Sequence, residues 1–207
     1  MLTMSTLKKS TSEFHHGDLK ASLIAAGVKQ VDRHGLNSLS LRQLSLATGV
    51  SQTAAYRHFE DLEHLKAEVS KAARESLGAL MLQKLKNVKS NGTKQAAIDR
   101  LWEAGSAYID FGIRHPNLFE IAFITYSSPE LEVEDPSPWG ILNSCLDDLH
   151  GAKLISSTLR NDAPMIAWST VHGFAGLAAQ GFTGTLSETK ASTKVVLGSV
   201  IRSLGIK

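Results

Sequence analysis

Apolar positions recur at helical spacing along most of the chain. Leu19, Leu23 and Val31, with Ile24 and Val28 beside them, form an i, i+4 stripe predicting a first helix from about Asp18 to His34. Gly27 lies inside that stripe, where it costs about 1 kcal/mol of helix propensity relative to Ala, so another helix is expected to pass close by. Gly35 ends the helix, and Leu36 and Leu39 return to the core. Leu41, Leu44 and Ala47 then share one face of a short helix, and the Ser40 hydroxyl is placed to accept a free backbone N–H at its start. Gly49 follows, the residue type that takes a left-handed turn without steric penalty. Val50 fills the angle, and Ser51 caps a second short helix that buries Ala55 and Phe59. That helix leaves Gln52, Thr53, Tyr56 and Arg57 outward.

The pattern restarts at Asp61, a cap with Glu63 in the first turn, and continues through Leu62, Leu65, Val69 and Ala72/Ala73. Lys84 to Thr93 is polar, and Asn91-Gly92 reads as a turn. From Thr93 a long face runs through Ile98, Leu101, Trp102, Gly105, Tyr108, Ile109 and Gly112. It must stop at His115, because Pro116 disfavours helical geometry in the residue before it. Phe119 to Tyr126 is apolar nearly all round and predicts a short buried helix. Ser127 to Ser137 holds two prolines and the acidic Glu130, Glu132, Glu134 and Asp135, and reads as an exposed loop. Pro138 starts a helix with Leu142, Cys145, Leu146 and Leu149 on one face, ending near Gly151. Two further helices are expected, from about Pro164 to Gln180 and from about Ser187 to Leu204. The fold class is therefore all-α, with about nine helices.

The segment Ser40–Phe59 has the layout of a helix-turn-helix, in which the first helix spans a DNA backbone and the second lies in the major groove. An ordinary helical hairpin shares that spacing. The flanks add to it: Leu41-Arg42-Gln43-Leu44, Thr48-Gly49-Val50-Ser51 and Tyr56-Arg57-His58-Phe59, followed by Leu62 and Leu65 and preceded by Gly35. On these residues the chain resembles the tetracycline-repressor (TetR) family of bacterial transcription regulators over roughly residues 14–66. Phe14-His15-His16-Gly17-Asp18-Leu19 looks like the start of the first helix in one subgroup. The stretch Trp168-Ser169-Thr170-Val171-His172-Gly173 resembles a signature of that subgroup's C-terminal domain.

The resemblance implies a three-helix DNA-binding domain over 14–62 and a helical effector-binding and dimerisation domain over 63–207. By position it assigns base reading to Arg42, Gln52, Thr53 and Ala54. Arg42 suits a bidentate contact to guanine, Gln52 one to adenine, and Ala54 a thymine methyl. Ser40, Tyr56 and His58 become phosphate contacts, Tyr56 being partly a core residue as well. Leu62 stands where many relatives carry a lysine, which removes one phosphate contact. Ser45 and Thr48 stand where the family favours Ala, and both are small enough for close packing. The resemblance also implies a homodimer through the last two long helices, where Ala175, Gly176, Ala178 and Ala179 allow close approach. A twofold dimer implies a pseudo-palindromic double-stranded operator. Trp102, Phe119, Phe123, Tyr126, Trp139, Cys145, Trp168 and His172 can line an apolar effector pocket with His172 as polar anchor, or can be plain core. A C-terminal domain that only dimerises, giving a ligand-independent DNA-binding or adaptor protein, is the competing reading.

Composition changes this picture little. The net charge of the 207 residues is only +2, but between Lys8 and Arg57 seven basic residues face three acidic ones. Residues 1–13 read as a polar arm, with Lys8 and Lys9 available for phosphate. One cysteine excludes an intrachain disulfide and fits a reducing compartment, and no apolar run of spanning length is present. A cytoplasmic protein is expected. No Gly-rich phosphate loop, metal cluster or activated nucleophile is recognisable, and the adjacent His15 and His16 have no neighbouring ligands. Neither an enzyme nor a resident cofactor or metal is expected.

Overall fold

In a computed structural model the chain is described over residues 16–88, 92–124 and 137–206. Lys8, Lys9, Phe14, His15, Asn91, Tyr126 and the acidic loop 127–136 lie outside the described residues. Among those described, nine α-helices follow one another: α1 (His16–His34), α2 (Leu41–Thr48), α3 (Gln52–Tyr56), α4 (Leu62–Leu85), α5 (Lys94–Arg114), α6 (Pro116–Ala122), α7 (Pro138–Gly151), α8 (Ser157–Ala179) and α9 (Leu186–Ser203). A 3-10 turn, Leu36–Ser38, joins α1 to α2.

The helix ends follow their local chemistry. Hydroxyls of Ser51, Thr93, Ser137 and Ser156 and the Asp61 carboxylate each accept a backbone N–H in the first turn that follows. Thr185 and Glu188 close a reciprocal capping box at the start of α9. Pro116 and Pro138 open α6 and α7 from the first turn, where a missing N–H costs nothing.

Helix α1 packs on α4 and α6, α2 packs on α1, and α3 packs on α2. Leu23, Val31, Leu44, Ala55, Phe59, Leu65 and Val69 are fully buried there and belong to one apolar cluster that continues into the rest of the molecule. Gly27 is the close approach the sequence called for: a Cβ there would lie 2.8 Å from Val69 Cγ2 on α4. In the remainder, α5 runs through the centre and packs on α4, α7, α8 and α9.

Four expectations need correction. Ser40 occupies the cap position of α2, but its hydroxyl makes no capping bond. Ala47 is exposed, and Ser45 takes the inward place instead. The stripe that faces the core is 41, 44, 45 and 48, the true i, i+3, i+4, i+7 set. Ser45 tolerates burial because its hydroxyl donates to the Leu41 carbonyl at 2.8 Å. Helix α8 begins at Ser157, so Pro164 is internal although an internal proline costs about 3 kcal/mol. The added turns are held by the Ser156 cap and by Arg160, which donates to Asp147 at 2.8 Å and to the Asn143 amide oxygen at 3.0 Å. Finally, Ala175 is buried against Gly112 of α5, so it serves a contact within the chain.

Candidate functional site

The turn between α2 and α3 is set by Gly49, which sits in the left-handed region at φ 71° and ψ 25°. Its N–H and that of Val50 close the end of α2 on the Leu46 and Ser45 carbonyls. The chain then reverses into α3, where the Ser51 hydroxyl accepts from the Ala54 N–H at 3.2 Å. Ala55 and Phe59 anchor this short element in the core, with Phe59 placed just beyond the helix. Gln52, Thr53 and Arg57 point to solvent, and Ala54 and His58 are half-buried. Tyr56 is 57% exposed, so it is a surface residue and contributes little to the core.

Arg42 projects from the first turn of α2 and makes no ion pair among the described residues. Its neighbour Gln43 is tied back to Gln30 of α1 by a 2.6 Å bond. Ser40 is half-buried at the same edge, and Leu62 is partly exposed at the start of α4. An Lys20–Glu68 ion pair of 2.5 Å joins α1 to α4 behind this surface. Arg42, Gln52, Thr53 and Tyr56 thus lie on exposed surface of adjoining elements held by one buried anchor.

The aromatic residues gather around Tyr108, which is 3% exposed in the middle of α5. Its hydroxyl lies 2.7 Å from His172 Nδ1 on α8. The Tyr108 ring meets Phe119, Phe123 and Trp168 at centroid distances of 5.2 to 6.0 Å, and Trp139 packs edge-on against Trp168. Burial holds the His172 imidazole below its ordinary value and pushes the Tyr108 phenol well above its own. Both groups are neutral near pH 7.

Between α5, α7, α8 and α9 these residues enclose a cavity of only about 30 Å³, bounded by Trp102, Tyr108, Leu142, Trp168 and His172 with Leu197 behind. That is room for about one water. Phe119 and Phe123 lie on the far side of His172, where they line an open groove of about 400 Å³ between α6 and α8. Trp139 is 42% exposed, and Cys145 is fully buried in the core, and both lie outside the two hollows. Burial raises the Cys145 thiol to about 12.

Tyr108 is the member of this group that sequence reasoning placed only on a core stripe. The available signal was its residue type, since a buried tyrosine needs a partner for its hydroxyl. Among the described residues no cluster of three or more His, Cys, Asp or Glu side chains could hold a metal ion, and no helix is long and apolar enough to cross a membrane.

Residues 101–200 match the family described as tetracyclin repressor-like, C-terminal domain. The chain is 26% identical over 111 residues to the uncharacterized HTH-type transcriptional regulator YobS of Bacillus subtilis (strain 168). That match spans about half of each protein, 54% of this chain and 54% of the relative. A protein of unknown function from Rhodococcus sp. RHA1 has a similar fold, with a TM-score of 0.71 at 23% identity over 91% of this chain and 98% of that one. A TetR variant from Acinetobacter baumannii AYE, solved in complex with minocycline, is similar with a TM-score of 0.62 at 17% identity, over 89% of this chain and 94% of that one.

Proposed function

The chain is a TetR-family transcriptional regulator, and we propose that it acts in the cytoplasm as a repressor, released from a pseudo-palindromic operator by a small apolar or aromatic molecule. In this reading residues 14–62 hold the DNA and residues 63–207 bind the effector and dimerise. The observation that carries it is the Ser51-capped α3, which rests on buried Ala55 and Phe59 and offers Gln52, Thr53 and Tyr56 outward. A groove-reading element needs that division between a fixed inner face and a free outer one. Gln52, Thr53 and Ala54 with Arg42 read bases, while Ser40, Tyr56 and His58 meet phosphates.

Dimerisation through α8 and α9 is supported by large apolar side chains left in solvent along them: Met165, Leu177, Phe182, Leu186 and Val195 are each more than half exposed. On α8 the exposed positions recur as 165, 169, 173 and 177. A twofold pairing there would set two α3 helices about one DNA turn apart or a multiple of it.

Effector binding would favour a dimer shape that no longer fits successive grooves, and the loss of DNA affinity equals the differential binding to the two shapes. The small cavity favours a second reading, in which the C-terminal domain is a solid dimerisation scaffold and no effector exists.

The test of the first reading is fluorescence anisotropy with DNA from immediately upstream of the gene, titrated with salt and nonspecific competitor. The expected result is saturation at two chains per site, with log affinity falling linearly in log salt. Affinity no better than for random DNA, on that fragment and after selection from random oligonucleotides, overturns it.

A further inference from the structure

The start of α2 is held from outside the helix. Ser40 gives it no side-chain cap, unlike Ser51, Asp61 and Thr93 at the starts of α3, α4 and α5. In place of a cap, the half-buried Gln30 side chain of α1 reaches both sides of that start. Its amide nitrogen donates to the Ser38 main-chain carbonyl, ahead of the cap position. The same nitrogen donates at 2.6 Å to the side-chain oxygen of Gln43, in the first turn beyond the cap. Chemistry dictates the direction of both bonds. A main-chain carbonyl only accepts, so Gln30 must present its NH2 group to Ser38, and the second hydrogen of that group then needs the Gln43 oxygen. Ser38 is held once more by its own hydroxyl, which donates to the Gly35 carbonyl at 2.6 Å.

Arg42 lies along the chain between the two points that Gln30 holds. Buried Leu41 and Leu44 fix how deeply α2 sits in the core, but apolar contact has no preferred direction. Hydrogen bonds are directional, and a pair of them flanking the first turn resists rotation of α2 about its axis. A bidentate arginine–guanine contact needs two N–H groups in line with two acceptors, so it is sensitive to that rotation. Arg42 makes no ion pair of its own among the described residues, and its backbone is what aims it. We propose that Gln30 is a positioning residue for base reading, setting the angle at which α2 presents Arg42 to its base pair. This rests on the reading that Arg42 contacts a base.

The test compares the parent with Gln30→Met, Arg42→Ala and the double variant, each as the full chain. The parent selects its site from randomised oligonucleotides. Affinities of all four proteins are then measured for that site and for versions changed at one base pair. Gln30→Met keeps the length of the side chain and removes both donors, and at a half-buried position water can serve the Ser38 carbonyl, so the variant folds. It is expected to lower the preference by about 5-fold or more at the base pair that Arg42→Ala relaxes. Preferences at the other base pairs should stay within about 2-fold, and Gln30→Met should cost no further preference in the Arg42→Ala background. A fall in affinity equal for all sequences overturns the inference, because a residue that only stiffens the fold does not choose among bases. An unchanged preference in Gln30→Met overturns it too, as does a loss that adds in full to that of Arg42→Ala. If Arg42→Ala alters no preference although the parent binds its site specifically, the inference falls and sequence-specific DNA binding stands. A parent that selects no sequence overturns both.

Discussion

The Asn117 side-chain amide on α6 donates a 2.9 Å hydrogen bond to the main-chain carbonyl of Asp32 on α1. Beside it, His115 Nδ1 lies 3.0 Å from the Asp32 carboxylate. The last turn of α1 is therefore fastened to the corner between α5 and α6. At the other end of α6, Arg74 of α4 donates to the Ala122 carbonyl at 2.8 Å. Between these ties Phe119 packs on the His172 ring, with centroids 5.3 Å apart. One short helix thus touches both the aromatic group and the base of the α1–α3 unit.

Removing the Asn117 amide should loosen that join without opening the core. Asn117→Ala is expected to cost about 1 kcal/mol in urea unfolding, the net worth of one partly buried hydrogen bond. Amide exchange should speed up in the last turn of α1 and stay unchanged in α7. Unaltered exchange at both places would mean that the bond holds nothing in place.

Gly27→Ala weighs two opposed effects. Alanine gains about 1 kcal/mol of helix propensity, but its Cβ would meet Val69 Cγ2 at 2.8 Å. Val69 is β-branched and fully buried, so it has little room to yield. Overpacking of this kind costs about 1–3 kcal/mol, and the net change should be a loss of up to about 2 kcal/mol by thermal or denaturant unfolding. A more stable variant would show that α1 and α4 can separate freely.

What the sequence made legible here is mostly what a single residue decides by itself. Asp61, Ser51, Thr93 and Pro138 mark helix starts by their own chemistry, and each stands where it was expected, whereas α6 opens at Pro116, ahead of the apolar run from Phe119 that suggested it. Features that depend on partners far along the chain were harder to see. Pro164 looked like a start, but Ser156 caps the helix earlier and Arg160 bonds the added turns to α7. Periodicity put Trp102 and Tyr108 on one face, and the family resemblance grouped Trp168 and His172 with Trp102, but a sequence carries no distances. It could not tell that the hollow among them is small, nor that Tyr108 and His172 are bonded. Asp32 and Asn117 are polar residues of no particular pattern, and only tertiary packing brings them together.

Arg42 is exposed and unpaired among the described residues, whereas Gln43 is held by Gln30. Arg42→Ala should weaken specific operator binding by about 1–3 kcal/mol and relax the preference at one base pair. Its effect on unfolding should be within about 0.5 kcal/mol, as for other exposed side chains. Binding selections on randomised operators would show the relaxed position. An unchanged preference would assign Arg42 to phosphate alone.

His172 gives stability a pH dependence of known sign. Burial holds its folded value below the ordinary 6.5. As pH falls through 6.5 the unfolded chain takes up a proton that the folded chain still resists, so unfolding becomes easier. The contribution is complete above about pH 7 and is lost on the way down to the folded value. His172→Gln removes the titration, and its unfolding free energy should fall less steeply than that of the parent between pH 7 and 5.5. Parallel curves would show that the imidazole is solvated in the folded state.

Gly173 separates a free α8 from one that meets a second copy. It lies mid-helix among the exposed positions 165, 169 and 177, and an added Cβ would have nothing within 4 Å in the single chain. In an isolated chain, Gly173→Ala can therefore only gain helix propensity, about 1 kcal/mol. Across a twofold contact the same methyl would push two helix backbones apart at their nearest approach. The expected outcome is a dimer that dissociates at least 10-fold more readily by sedimentation. At protein concentrations low enough to populate single chains, helicity should be maintained or raised. Tighter association, or no concentration dependence for either protein, would move the contact away from α8. The exposed Met165 and Leu177 would then need another partner.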